Sequence, residues 1–245
     1  MRFSVDQSVR EIAIENPATV RIFESLGIDY CCGGAKSLRD ACGRVKVPLE
    51  RAVELLASAN TDVADADDAP WKDSALADLA THIVGRHHAF VRREAPRLET
   101  LAGKVADKHA NRHPELPQIR NVFAAIAQEL SAHMMKEENL LFPYISQMES
   151  AVVAGDPPPP AFFGSVQNPI ARMLADHDDA GELLGQIRTL AGGFQPPDDA
   201  CPSYRGLYHG LEEFERDLHR HIHLENNILF PRAVNLERES RVGAR

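Results

Sequence analysis

The sequence lacks long apolar runs, an excess of positive charge and any apolar segment near its first residue. Its apolar runs are far shorter than the roughly 20 residues that a membrane-spanning helix needs. The 245 residues carry a net charge of −9, which argues against a general nucleic-acid or anionic-membrane partner, because both need a basic face. With no apolar core of a signal peptide, a cytoplasmic location is expected.

Strand-like alternation of polar and apolar residues is also missing, so the fold class is predicted to be all-α. Helical patterns cover roughly residues 74–103, 117–149, 168–192 and 202–236, separated by segments rich in proline and glycine. This pattern predicts an antiparallel up-down four-helix bundle over residues 72–240. Residues 1–60 predict a small helical domain that carries cysteines, and residues 61–71 an acidic linker. Pro143 and Pro231 are expected to kink or end their helices.

An internal repeat carries the candidate chemistry. The frame H-x-x-x-E-x-N-x-L-F-P occurs at residues 133–143 and again at 221–231, an offset of 88 residues. Positions four apart on a helix differ by only about 40° around its axis. His133 and Glu137 therefore share a face, as do His221 and Glu225, and such pairs can bind a metal in a bundle core.

Two further histidines, His88 and His177, are 89 residues apart, close to the same offset. Antiparallel helix hairpins place each of them at the depth of the next H-x-x-x-E motif. The predicted metal ligands are His88, His133, Glu137, His177, His221 and Glu225. Two cations can each take two imidazoles and share both glutamates, and these ligands suit iron, manganese or zinc alike.

A repeat kept only for packing and capping is the alternative, but packing does not require histidine and glutamate on the aligned faces. The other histidines lack a matching partner in the repeat and are not predicted to be ligands: His82, His87, His109, His113 and His209. His219 and His223 are four apart and could pair on a metal, but their repeat equivalents are Ser131 and Met135, so we interpret both as surface residues. His82 remains a candidate for supporting a ligand. Asp176 and Asp178 flank His177, and either can orient an imidazole.

Cys31 and Cys32 are adjacent in a glycine-rich loop, where a disulfide between them would be strained. A following helix N-terminus and exposed backbone N–H groups would lower their thiol pKa and favour thiolates that bind iron or exchange disulfides. The alternative is a buried turn built from small residues. Cys42 and Cys201 lack this context and are interpreted as ordinary thiols.

Four segments together resemble the iron–sulfur cluster repair di-iron proteins: DYCCGG at 29–34, HMMKEENLLFP, ADHDDAGELL and HLENNILFPRA. The resemblance implies a cysteine-bearing N-terminal domain joined to a hemerythrin-like bundle. It makes the four paired histidines terminal ligands, the two glutamates bridging carboxylates, and Cys31 and Cys32 the reactive thiols. It further implies two non-haem iron ions per chain with an oxo or hydroxo bridge, and a homodimer.

The implied role is the repair of iron–sulfur clusters damaged by nitric oxide or oxidants, by supplying iron to the damaged proteins. One alternative is an enzyme, a di-iron nitric oxide or peroxide reductase. Another is a non-enzymatic carrier or sensor of oxygen or nitric oxide. Hemerythrin-type carriers use a fifth histidine ligand, whereas this repeat provides four in symmetric positions, which weakens the carrier hypothesis.

Overall fold

A computed structural model describes residues 3–59 and 71–243, with side chains described up to residue 240. The predicted acidic linker at 61–71 lies outside these residues, apart from Trp71. The described residues confirm the all-α prediction: they form helices and no strand, with one isolated bridge between Ser8 and Ser37. Within the same residues, no helix combines the length and apolarity needed to cross a membrane.

Four short helices form the N-terminal unit: α1 (Val9–Glu15), α2 (Val20–Leu26), α3 (Leu38–Val45) and α4 (Leu49–Ala57). Ser8 and Glu11 start α1 as a reciprocal capping box. Gly27 ends α2 in the left-handed conformation, with φ 65°. Ser37 caps α3 by accepting a hydrogen bond from the Asp40 N–H. Local sequence signals therefore set these helix ends.

Four long helices form the bundle. The first comprises α5 (Leu76–Ile83), a π-helical turn (Val84–His88) and α6 (Ala89–His109). The second comprises α7 (Glu115–Lys136), a π turn (Glu137–Leu141) and α8 (Phe142–Ala154). The third is the uninterrupted α9 (Gln167–Leu190). The fourth comprises α10 (Pro202–Leu224), a π turn (Glu225–Leu229) and α11 (Phe230–Gly243). α5 packs on α8 and α6 on α7, as an antiparallel hairpin requires.

The two repeat prolines do not end their helices. Pro143 and Pro231 lie in the first turn of α8 and α11, where the missing N–H costs little, and a π turn precedes each one. The π turn therefore accommodates the missing N–H and the steric demand of the proline ring, which would disrupt a regular α-helix. π turns of this kind are often found at functional sites.

Two apolar clusters fill the bundle. One consists mainly of residues from α6, α7, α9 and α10, and the other of residues from α5, α8, α11 and the start of α9. Along the first, second and fourth helices the π turn falls between the two clusters. The six predicted ligands lie at this depth of the bundle, between the two apolar clusters. A third apolar cluster stabilises the N-terminal unit separately.

Candidate metal centre

The bundle brings all six predicted ligand residues together in its interior. None of the six is more than 3% exposed: His88, His133, Glu137, His177, His221 and Glu225. His88 ends the first π turn, while Glu137 and Glu225 begin the other two. The regular α9 supplies His177.

One half of the cluster, here called the 88/221 half, pairs the histidines of the first and fourth helices. Their Nε2 atoms lie 3.1 Å apart. His88 Nε2 is 3.4 Å from Glu137 Oε2, and His221 Nε2 is 2.9 Å from Glu225 Oε1. Donor atoms of these four residues all lie within 4.8 Å of one another, which is close enough to surround one cation.

The other half, the 133/177 half, repeats this arrangement with the histidines of the second and third helices. Their Nε2 atoms are 3.0 Å apart. His133 Nε2 is 3.2 Å from Glu137 Oε1, and His177 Nε2 is 3.1 Å from Glu225 Oε2. Both glutamates thus contribute one oxygen to each half, which is the arrangement expected of bridging carboxylates.

The donor set fits two metal cations. Imidazole nitrogens lie 3.1–3.4 Å from both oxygens of Glu137 and from Oε2 of Glu225, but among the described residues none of these three oxygens accepts a hydrogen bond of good geometry. A buried ionised carboxylate without compensation costs on the order of several kcal/mol. A cation in each half would balance the negative charge of these oxygens and would lie between the two paired imidazole nitrogens.

Protonated histidines balance part of the negative charge of the two buried glutamates. Burial opposes ionisation of Glu225, yet the adjacent imidazoles, first that of His221, lower its pKa well below the usual range. Burial also disfavours protonated His88 and His133, but the nearby glutamates outweigh it and raise their pKa to about 10 and about 9. Burial dominates at His221 and lowers its pKa. Bound cations would take over the role of these protons.

The residue that follows each bridging glutamate orients a histidine of another helix. Glu138 Oε1 lies 2.6 Å from His88 Nδ1, and Asn226 Oδ1 lies 2.7 Å from His177 Nδ1. Hydrogen bonds at Nδ1 fix the ring and leave Nε2 free for a metal. Neither residue was predicted from the sequence, although both occupy the same position of the repeat.

The repeated L-F-P segment also has a role in the site. The Phe142 ring stacks on His88 at 5.9 Å, and the Phe230 ring stacks on His177 at 6.1 Å. Asp176, predicted as a possible orienting residue, has its Oδ2 3.4 Å from His133 Nδ1. The repeat therefore maintains the packing around the ligands as well as the ligands.

Two histidines interpreted as surface residues are in fact covered by the N-terminal unit. His223 is 5% exposed, and burial lowers its pKa to about 4. His219 is half-buried, and the Tyr30 ring contacts both imidazoles edge-on. The surface interpretation was wrong because it took no account of packing between the two parts of the chain.

The remaining histidines do not enter the cluster. His87 is buried and hydrogen-bonds Asp217, while the His82 ring lies tilted against Trp71, with ring centroids 4.4 Å apart. His109 and His113 lie at the far end of the bundle, near Cys201 and Asp199 respectively. His209 is exposed.

The cysteine loop differs from the sequence expectation. Cys31 is only 4% exposed, and hydrogen bonding to Cys32 together with burial raises its pKa well above the usual thiol range. The backbone N–H groups of both cysteines donate to Asp29 Oδ1 instead of remaining exposed. α3 begins only at Leu38, too far along the chain to stabilise a thiolate at Cys31. The expected lowered pKa is therefore wrong for Cys31.

The same loop packs directly on the bundle. Asn227, the repeat asparagine, donates to the carbonyls of Tyr30 and Cys31 at 3.1 and 3.4 Å. Cys32 Sγ lies 3.7 Å from the His177 carbonyl oxygen, beside Gly181, where a Cβ would contact it at 3.7 Å. Cys32 is thus next to the backbone of a predicted ligand.

The helical bundle with its buried histidine–glutamate cluster defines a protein of the hemerythrin class. The hemerythrin HHE cation binding domain matches residues 79–233, and ScdA_N, a domain of unknown function (DUF542), matches residues 5–60. The iron-sulfur cluster repair protein YtfE of Pectobacterium atrosepticum is 39% identical over 95% of this chain and 98% of its own. Its counterpart from Escherichia coli O157:H7 is 36% identical over 94% and 97%. A probable iron-sulfur cluster repair protein of Haemophilus influenzae is also 36% identical, over 94% and 97%. The chain belongs to this family of iron–sulfur cluster repair proteins.

Proposed function

We propose that the six-residue cluster holds two non-haem iron ions. His88 and His221 bind one, His133 and His177 bind the other, and Glu137 and Glu225 bridge them together with an oxo or hydroxo group. Support comes from the two four-residue groups that share both glutamates. Nitrogen and oxygen donors alone do not select iron over manganese or zinc. The names of the relatives favour iron.

The function proposed for the chain is to supply iron to iron–sulfur proteins whose clusters nitric oxide or oxidants have damaged. The observation that carries this proposal is the position of Cys32, whose sulfur contacts the His177 backbone. Iron is the cargo, and its transfer is a ligand exchange without net oxidation or reduction. An Fe–N or Fe–O bond would be replaced by an Fe–S bond, and the proton of the thiol would pass to the imidazole or carboxylate that leaves the iron.

The test is reactivation of a nitric-oxide-damaged iron–sulfur enzyme by the iron-loaded full chain, in a defined mixture without other proteins. The double variant Cys31→Ser, Cys32→Ser should keep its iron and optical spectrum but lose most of the reactivation. Cys201→Ser is the matched control, because Cys201 lies at the far end of the bundle beside His109. Unchanged reactivation by the double variant would exclude the cysteine loop as the delivery route.

One observation favours a second candidate, a di-iron nitric oxide or peroxide reductase. A cavity of about 230 Å³ reaches His133 and His177 and gives small molecules a route to the cluster. Under this hypothesis the chain would consume nitric oxide catalytically and reactivate nothing. The same defined mixture, monitored with a nitric oxide electrode, separates the two functions.

The proposal includes a homodimer in a reducing cytoplasm, with nitric oxide or oxygen as small ligands of the iron. A reducing compartment keeps the cysteines as thiols, which iron transfer requires. Light scattering on the loaded protein tests the dimer, since it distinguishes the mass of one 27.1 kDa chain from that of two.

A further inference from the structure

The two halves of the cluster differ at one position related by the repeat. His87 precedes His88, whereas an aspartate precedes the equivalent ligand of the third helix. The fully buried His87 ring stacks on His221 at 5.7 Å with an interplanar angle of 9°. Asp217 Oδ1 holds His87 by its Nδ1 at 3.2 Å. An aromatic ring therefore covers the 88/221 half from this side.

On the 133/177 half, Asp176 replaces that aromatic ring with a charged group at the surface. It approaches His133 Nδ1 and also pairs with Lys136 at 3.3 Å and Arg172 at 2.8 Å. The two basic side chains are 46% and 67% exposed. The polar side chains around this half therefore extend into solvent.

A cavity lies directly under these charged side chains, between α7 and α9. Its volume is about 230 Å³, and its walls include Ala132, Ala180 and the two ligands His133 and His177. One water occupies about 30 Å³ of the liquid, so the cavity holds several waters or one small ligand. Solvent thus reaches the edge of the 133/177 half.

We propose that the 133/177 half is the exchangeable metal position, and that incoming small ligands reach it through this cavity. Ligand exchange needs room for the incoming donor and for the imidazole that leaves. The cavity provides both beside His133 and His177, whereas stacking of His87 holds His221 in place. The inference rests on the proposed function, because it concerns the iron held there.

Timed removal of iron from the full chain tests this assignment. The chain is loaded with ferrous iron without air and mixed with an anionic ferrous chelator whose complex absorbs light. One iron per chain should leave in a fast phase and the second in a slow phase. Ala132→Phe places a ring in the cavity from an exposed position and should slow the fast phase at least about tenfold.

Thr81→Phe is the matched control. Thr81 is also exposed and lines a different surface cavity, of about 490 Å³, beside Glu138 on the side of His88. This variant should leave the fast phase unchanged. If Thr81→Phe slows the fast phase and Ala132→Phe leaves it unchanged, exchange would belong to the 88/221 half and the inference would be overturned.

The position of the remaining iron can be located directly. Protein is collected after the fast phase and crystallised, and the anomalous scattering of iron shows which half still holds metal. The remaining iron is expected between His88 and His221. Iron remaining between His133 and His177, or release of both irons at one rate, would contradict the inference while leaving two-iron binding intact. Failure to load two irons at all would contradict the proposed function itself.

Discussion

At the scale of single residues, hydrogen bonds at Nδ1 distinguish the four imidazoles. His88 faces a carboxylate, His177 an amide, and His133 an aspartate at a longer distance. Among the described residues, Nδ1 of His221 has no hydrogen-bond partner. A carboxylate partner makes an imidazole a stronger donor to a metal than an amide does. His88 should therefore contribute most to retaining its metal.

Glu138→Ala tests this contribution. The variant removes the Nδ1 partner of His88, so affinity for the metal of the 88/221 half should fall by about 10- to 100-fold. Competition with a chelator of known affinity measures the change, and Glu99→Ala, an exposed site on α6, is the control. Equal affinities in the two variants would mean that Glu138 does not support the site.

The sequence predicted that the six residues converge, because helix periodicity and the 88-residue offset determine their faces and depths. It did not predict Glu138 and Asn226. On a regular α-helix the residue after Glu137 points about 100° away from it, so periodicity does not place it beside a ligand. In the structure Glu138 lies in the π turn and reaches His88 on the neighbouring helix, a contact between helices that the pattern of one helix does not describe.

At the scale of helices, the π turns place the ligands. Each one adds a residue to its turn and rotates the groups around it relative to an α-helix. Two of the three precede a proline of the L-F-P segment, and the Val84–His88 turn does not. The four long helices were predictable from the sequence, with errors of up to seven residues at their ends. The π turns were not predicted, since proline was expected to kink or end a helix.

Pro231→Ala tests whether the proline maintains the π turn. Alanine restores an N–H, so the segment gains the option of a regular α-helix that would turn Glu225 out of register. Metal affinity should fall at least about tenfold, while helix content by circular dichroism stays the same or rises. Pro96→Ala, within the uninterrupted α6, is the control and should leave affinity unchanged. An unaltered affinity in Pro231→Ala would show that the turn forms without the proline.

At the scale of the whole molecule, the N-terminal unit packs on the fourth bundle helix. Arg220 pairs with both carboxylate oxygens of Glu24 at 2.9 and 3.0 Å, and Tyr30 donates to the same glutamate. This contact was not predictable from the sequence, because periodicity describes each helix but not which surfaces meet. It explains why Cys31 and His223 are buried, contrary to the expectations for them.

Arg220→Gln should loosen this packing. The ion pair is partly buried, so its loss should cost on the order of 1 kcal/mol, and Cys31 should react with iodoacetamide at least about fivefold faster. Mass spectrometry of the Cys31 peptide measures the rate, and Arg39→Gln, which removes an exposed pair with Asp6, is the control. An unchanged rate would show that the ion pair does not restrict access to the thiol.

Six residues on four helices are proposed to hold two coupled iron ions, and this proposal has a direct test. Mössbauer spectroscopy with iron quantification, on full-length protein purified without air and then oxidised, tests it most directly. We expect two irons per chain in nitrogen and oxygen coordination, coupled antiferromagnetically through their bridge. A single iron, two uncoupled irons or another metal in their place would contradict it.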